Sequence, residues 1–439
     1  MNIKELFAAI LPWKNDNKRL AKLQLEAFSY FKDDNLVRNG MIADKNKPGS
    51  PASIAAMGLG LSSFIIGVER GYMPREEAIK KTLQILAFLR SSRQGAEADA
   101  SGYKGFYYHF LDMETGVRVW QCELSTIDTA ILMAGALTAA NYFKGDNGDE
   151  AKIRKIAAEL YERVDWVWAL NGGTTITHGW KPESGFLPQR WDKGYNEAHI
   201  LYILALGSPT FPVSDAAYNE WIATFEWKNI YGTELLYAGP LFIHQLSQLW
   251  LDFRGIYDAC NRKYGIDYFE NSSRAVYVQR EYAKKNPLGF KYYSRYVWGL
   301  SASDGPGPAT YNIKGVEREF FDYIARGAPY GPDDGTVSPW AIVASLPFAP
   351  KAVLNTMRMD LMVIGMLPIG DHGIKASFNA TFPEKSDNPF GWLAKWQFGL
   401  NQGPVIMMIE NYWSGLIWKV FGQCNYVADG IKKAGFTKK

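Results

Sequence analysis

The sequence predicts an all-α protein: an (α/α)6 barrel with long Gly/Pro-rich loops over one mouth, built as a single domain from residues 1–439. Three observations carry this. Helical periodicity dominates the chain. Segments that are apolar nearly all round alternate about six times with amphipathic, charged ones. The longest stretches without periodicity, 288–335 and 368–400, are rich in Gly and Pro. A helix that is apolar on every side must be surrounded by protein. Six of them, each beside an amphipathic partner, fit a closed inner ring wrapped by an outer one. An open helical solenoid is the alternative, but the chain shows no fixed repeat period or internal self-similarity.

Taken in order, 18–31 is amphipathic. The segment 50–71 reads as a buried helix with Pro51 in its first turn and Gly71 after its end. Residues 74–92 follow as its cover, with Ile79, Leu83, Leu86 and Leu89 on one face and Arg75, Lys80 and Lys81 on the other. The alternation then runs 123–143 (apolar) with 149–170 (charged outer face), and 194–207 (apolar) with 214–227 (mixed). Residues 241–255 (apolar and aromatic) pair with 268–285 (charged), and 336–346 (apolar) with 349–361 (mixed). Residues 402–421 are apolar and 426–433 close the chain. The two long loops are of a size that is usually functional or carries small β elements.

Composition removes several function classes. With 48 basic and 45 acidic residues the net charge is +3 over 439 residues, and no run of five like charges occurs. Such a chain has no field to gather nucleic acid or anionic membrane, so no nucleic-acid partner is expected. No apolar stretch reaches the roughly 18–20 residues of a membrane span. Cys122, Cys260 and Cys424 are odd in number and far apart, and the 5 histidines are scattered, so neither a disulfide framework nor a metal site is expected. No cofactor is implied. The opening Met1–Trp13 segment carries Glu5, a short apolar run and Pro12, and does not read as a signal peptide. The expected location is cytoplasmic as written, or periplasmic if a leader has been removed. The aromatic content is high, with 15 Trp, 25 Tyr and 24 Phe. Most of these suit a large core, but aromatic faces also stack on the apolar C–H faces of sugars.

In an inner-ring helix, polar side chains find water only at the ends. Glu123 and Asp128 precede and enter one apolar run; balancing a helix dipole accounts for one acid there but does not require two on neighbouring faces. Glu197 opens the next run, flanked by Trp191 and Tyr195, in surroundings that favour the protonated form required of a general acid. His244, Asp252 and Arg254 fall on a fourth inner helix, where Asp252 and Arg254 are too close in sequence to face each other, so each is expected to serve a different partner, in a buried structural ion pair. Asp304 and Asp334 sit in Gly/Pro loops that are more often turns, and neither loop is a phosphate-binding one. Two acids across an aromatic-walled cleft suggest glycosidic-bond chemistry, with Glu197, Glu123 and Asp128 as the catalytic candidates.

These motifs carry a resemblance. Glu123-Leu-Ser-Thr-Ile-Asp-Thr-Ala, Gly194-Tyr-Asn-Glu-Ala, Leu204-Ala-Leu-Gly-Ser-Pro-Thr and His244-Gln with Trp250-Leu-Asp-Phe-Arg-Gly are four of its parts. Trp298-Gly-Leu-Ser-Ala-Ser-Asp-Gly-Pro, Asp334-Gly-Thr, and Gln402-Gly-Pro with Ile409-Glu-Asn-Tyr complete it. From about Asn39 to Trp418 the chain resembles the glycoamylase-like family, which includes the glycoside hydrolase family 144 endo-β-1,2-glucanases and the related domain of cyclic β-1,2-glucan synthases. The resemblance implies an (α/α)6 barrel cleaving β-1,2-linked glucan without a metal. Glu197 matches the family's general acid, and Glu123 and Asp128 match acids at the cleft floor. Trp120, Trp191, Tyr195, His244, Arg254, Asp304, Asp334, Asn401 and Gln402 are the expected substrate contacts.

There are departures. Asn401-Gln402-Gly403-Pro404 stands where the family usually has Asp-Gln-Gly-Pro, and Ala376 stands where an acid is common. An amide cannot accept a proton at neutral pH, so a catalytic base would have to be Glu123, Asp304, Asp334 or Asp371. Trp413 replaces a common Arg and suggests an altered sugar subsite. The leading expectation is a β-1,2-glucan hydrolase acting on oligosaccharide or polysaccharide. The alternatives are a transglycosylase with Glu123 as nucleophile, an exo-acting relative that releases sophorose or glucose, and a non-catalytic β-glucan-binding protein.

Overall fold

The computed structural model describes residues 14–363, 369–383 and 391–438. The opening segment on which the leader reading rests lies outside the described residues. In chain order the helices are α1 Lys14–Lys32, α2 Ile54–Glu69, α3 Arg75–Ser91, α4 Thr126–Tyr142 and α5 Gly148–Glu162. They continue with α6 His199–Gly207, α7 Asp215–Ile222, α8 Leu241–Gln245, α9 Ala259–Tyr264 and α10 Tyr268–Lys285. The last are α11 Pro339–Ala344, α12 Pro350–Val363, α13 Gly399–Trp413, α14 Leu416–Phe421 and α15 Asn425–Lys433.

Side-chain caps set most of the starts. Ser53 accepts from the Ala56 N–H, Ser125 from Asp128, Asn147 from Glu150 and Asp267 from Glu270, each satisfying a donor the helix leaves unpaired. Pro339 occupies the first turn of α11, where its missing N–H costs nothing.

The apolar helices form a ring. Helix α2 packs on α4, α4 on α6, α8 on α11, α11 on α13, and α13 returns to α2. Between α6 and α8 the Ser247 hydroxyl bridges, accepting from Ile200 N–H and donating to the Glu197 carbonyl. This closure rules out the open solenoid. Amphipathic helices cover the outside, α3 and α5 against the α2–α4 side, α7 against α6, α10 against α8, and α1 over the seam between α2 and α13. One contiguous apolar cluster runs from Leu20 to Phe436.

The starts of the inner helices share one mouth. His109 backbone joins the entries to α2 and α4, accepting from Ile54 and donating to Glu123. Asp44 joins the entries to α13 and α2, and residues 299–303 join those of α8 and α11. Strands within the described residues are short, mostly two residues, in small antiparallel sheets. The longest pair is the hairpin Ala309–Ile313 with Val316–Phe320, inside the loop whose length suggested such an element.

The expected fourth inner helix is shorter than its apolar run. Helix α8 stops at Gln245, a 3-10 turn covers Ser247–Leu249, and residues 251–254 leave helical geometry. Arg254 is therefore free to fold back on Asp252, with Nε and Nη2 at 2.7 and 2.6 Å from its oxygens. The expectation of separate partners in a buried setting is corrected: the two residues pair with each other, part-exposed. The guanidinium also covers the Trp418 ring at 4.5 Å.

Candidate active site

Glu123 precedes α4 by three residues, and Asp128 lies in its first turn. The Ser125 hydroxyl donates to Asp128 Oδ2 at 2.5 Å while accepting from the Asp128 N–H, so the capping residue also fixes the carboxylate. Between the two acids sits His109. Its Nδ1 is 3.1 Å from Glu123 Oε1 and its Nε2 is 3.6 Å from Asp128 Oδ2. Phe110 stacks on the imidazole with centroids 4.0 Å apart. Burial alone would lower the imidazole pKa; the charge of Asp128 and the hydrogen bond and charge of Glu123 outweigh it and raise it to about 9. For Glu123, burial works against ionisation, but the His109 hydrogen bond and charge win and its pKa is lowered. At neutral pH this group holds an imidazolium and an ionised Glu123.

Glu197 is two residues before α6, in the bend that Ser247 ties down through its carbonyl. Burial, reinforced by the charge of Asp128, raises its carboxyl to about 7. A carboxyl that carries a proton near neutral pH, in the same cluster as the ionised Glu123, is what a general acid with a carboxylate partner requires.

The opposite wall comes from residues 44–45 and the loop 301–338. Asp44 is buried, and burial raises its pKa to about 6 against the opposing effect of Lys45 and His109. Lys45 reaches Asp304 at 3.5 Å and lies 4.3 Å above the Phe398 ring. Tyr323 projects from the same loop. Desolvation raises its pKa, and the charges of Asp44, Asp304, Asp128 and Glu197 add to that effect. One phenol thus senses four carboxyl groups from four separate segments of chain.

The structure brings together Glu123, Asp128, Glu197 and Asp304, and Asn401 is buried in the first turn of α13. The Asn401 side chain has no hydrogen-bond partner among the described residues. Trp120 stands exposed at the rim, and Trp191 lies behind, stacked on His178 at 3.9 Å with its N–H on Thr126. Other expected contacts belong to the framework. Tyr195 is buried and stacks on Tyr268. His244 is buried, its Nε2 on the Ala238 carbonyl, and burial lowers its pKa to about 4. Gln402 exchanges two hydrogen bonds with the Ile374 backbone.

Asp334 forms a bidentate pair with Arg326 in which both side chains are 0% exposed, and it also accepts from the N–H groups of Phe321 and Thr336. With its oxygens so engaged it cannot serve as a base. Asp371 lies in an exposed turn and Arg254 packs on Trp418, neither among the clustered acids. Trp413 ends α13 opposite the mouth, under Arg70 and bonded to Asn17, so its change from Arg does not touch a subsite.

Sequence reasoning missed His109, Asp44, Lys45 and Tyr323. The signal for His109 was its place in Phe106-Tyr-Tyr-His-Phe110, where one ionisable ring interrupts an aromatic run. Asp44 had none, since it sits in an irregular loop.

Fold and site define a class: a closed double ring of helices whose inner starts present a carboxyl-lined cleft. The chain belongs to the glycoamylase family, whose model, described as "Putative glucoamylase", matches residues 189–425. A "putative glucoamylase" structure from Bacteroides uniformis is 31% identical, with TM-score 0.84, covering 98% of this chain and 99% of that one. The endo-β-1,2-glucanase of Chitinophaga pinensis, in complex with sophorotriose and glucose, is 27% identical, with TM-score 0.82 and coverage of 96% and 99%. A curated relative, the exo β-1,2-glucooligosaccharide sophorohydrolase (non-reducing end) of Parabacteroides distasonis, is 29% identical over 95% of this chain. This chain spans 58% of that relative's length.

Proposed function

We propose that this protein is a glycoside hydrolase that cleaves β-1,2-glucan or its oligosaccharides, with the whole chain acting as one domain. The observation that carries it is Glu197, its carboxyl raised to about 7 by burial and the charge of Asp128, with Asp128 tied through His109 to the ionised Glu123. Glu197 donates its proton to the glycosidic oxygen as the bond breaks. The carboxylate that answers it, activating water or attacking the sugar carbon, is drawn from Glu123 and Asp128. His109, protonated between them, keeps the negative charge in place, so the acid and carboxylate roles stay on separate residues. The substrate linkage is supported by the two relatives that act on β-1,2-glucans.

The test is chromatography of products after incubation with linear β-1,2-glucan and, in parallel, with other α- and β-glucans. Short oligosaccharides from the β-1,2 polymer alone are expected. Glu197→Gln should lower kcat by about 100-fold or more while leaving glucan binding detectable; activity within about tenfold of the parent removes Glu197 from the acid role. The curated relative's exo action favours a second reading in which one short product, sophorose, accumulates from the first minutes. A ladder of sizes excludes it.

A further inference from the structure

Beside the acid cluster, and joined to it through Lys45, lies an open groove of about 720 Å³. The turn 112–114 and Trp120 form one bank; residues 33–38, 45–51 and His372 form the other. None of Glu123, Asp128 and Glu197 lines it, so its contents are not the bond being cut.

Three features state what it holds. The first is Trp120, which is 69% exposed. It and Gln121 both adopt left-handed backbone conformations, with φ of 57° and 49°. For a bulky residue this conformation is an outlier that costs free energy, and the fold recovers nothing by burying the ring. The second is a continuous aromatic line. His109 stacks on Phe110, and Phe110 meets Trp120 edge-on with centroids 5.2 Å apart, so the line starts at the His109 imidazole and ends in the groove. The third is charge. Asp33, Asp112 and Glu114 are matched by Arg38, Lys45 and Lys47 along the lining. Arg38 pairs with Glu114, and His372 Nε2 lies 2.8 Å from Asp33. Balanced, mostly paired charges around one bare aromatic face suit an uncharged polyol better than an anion, a cation or an apolar chain.

We propose that this groove is a run of subsites holding the β-1,2-glucan chain beyond the units at the scissile bond, with Trp120 stacking on a sugar ring. The inference rests on the proposed hydrolase function and deepens it. Glucan long enough to reach Trp120 gains binding that the shortest substrates cannot, so the enzyme favours long chains and cuts within them.

The test compares kcat/KM on long linear β-1,2-glucan with that on the shortest oligosaccharide cleaved, in the parent, Trp120→Ala and Trp120→Phe. The expected result is a fall of about tenfold in the long-to-short ratio for Trp120→Ala, mainly through KM, with Trp120→Phe recovering most of it. In parallel, Glu197→Gln with and without Trp120→Ala is titrated with the same long glucan; the double variant should bind about tenfold more weakly. A parent that cleaves the glucan while the ratio and the binding stay unchanged in Trp120→Ala overturns the groove assignment alone. A parent that neither cleaves nor binds β-1,2-glucan overturns the hydrolase function and the groove together.

Discussion

Residue 197 shows how a carboxyl group becomes an acid at neutral pH. Burial in the bend before α6 disfavours its charge, and the nearby negative charge of Asp128 disfavours it further. Because the folded pKa is raised to about 7, the proton needed for catalysis is present below pH 7 and is lost as pH rises through that value. Asp128→Asn removes one of the two causes, so Glu197 should ionise at lower pH. The alkaline limb of kcat/KM against pH should then move to lower pH, and a limb that stays in place would separate Asp128 from Glu197. At this scale the sequence was partly legible. Acids just ahead of apolar runs marked Glu123, Asp128 and Glu197, because water-facing positions on an inner helix are confined to its ends. Asp334 and Gln402 satisfied the same motif logic, yet the fold uses them to satisfy buried partners, Arg326 and the Ile374 backbone. A motif does not distinguish a side chain aimed at a ligand from one aimed at its own framework.

Among the elements, α2 and α4 make the tightest crossing of the ring. A Cβ on Gly135 would sit 2.1 Å from the Gly58 carbonyl oxygen, and one on Gly58 would sit 2.4 Å from that of Ile131. Backbone meets backbone there, so no side chain can move aside. Gly135→Ala should destabilise by about 1–3 kcal/mol, read as a lower urea midpoint, and should shift the start of α4 with its Asp128. An unchanged midpoint would mean the helices can separate without loss. Helix existence and order were legible from periodicity, which is strong for long apolar or amphipathic runs. Boundaries at α8 were not, because Leu249, Trp250, Leu251 and Phe253 keep the run apolar after the helix stops, and their burial in irregular backbone looks the same in sequence. The long loops were legible as functional by length and Gly/Pro content, but not as the source of Tyr323 and the Arg326–Asp334 pair.

On the scale of the whole molecule, ring and cover share one apolar cluster, and the seam is pinned at both ends. At the mouth Asn46 and Gln397 exchange three hydrogen bonds, two through side chains at 2.7 and 2.8 Å and one between backbones. At the far end Glu410 accepts a bidentate pair from Arg70 and a further bond from the Ser414 hydroxyl. A chain acting as one domain should unfold in urea with tryptophan fluorescence, far-UV circular dichroism and activity changing together. Two resolved transitions would divide it.

The Asn46–Gln397 seam also carries a meaning in time. During synthesis Glu123, Asp128 and Glu197 are all made well before Gln397; the segment bearing Asp44 and Lys45 is tied early to Ser50 and Pro51, and gains its bonds to the last inner helix only when residues 397–399 arrive. A partly made chain therefore carries its acids beside a ring whose last seam, Asn46 to Gln397, is still open.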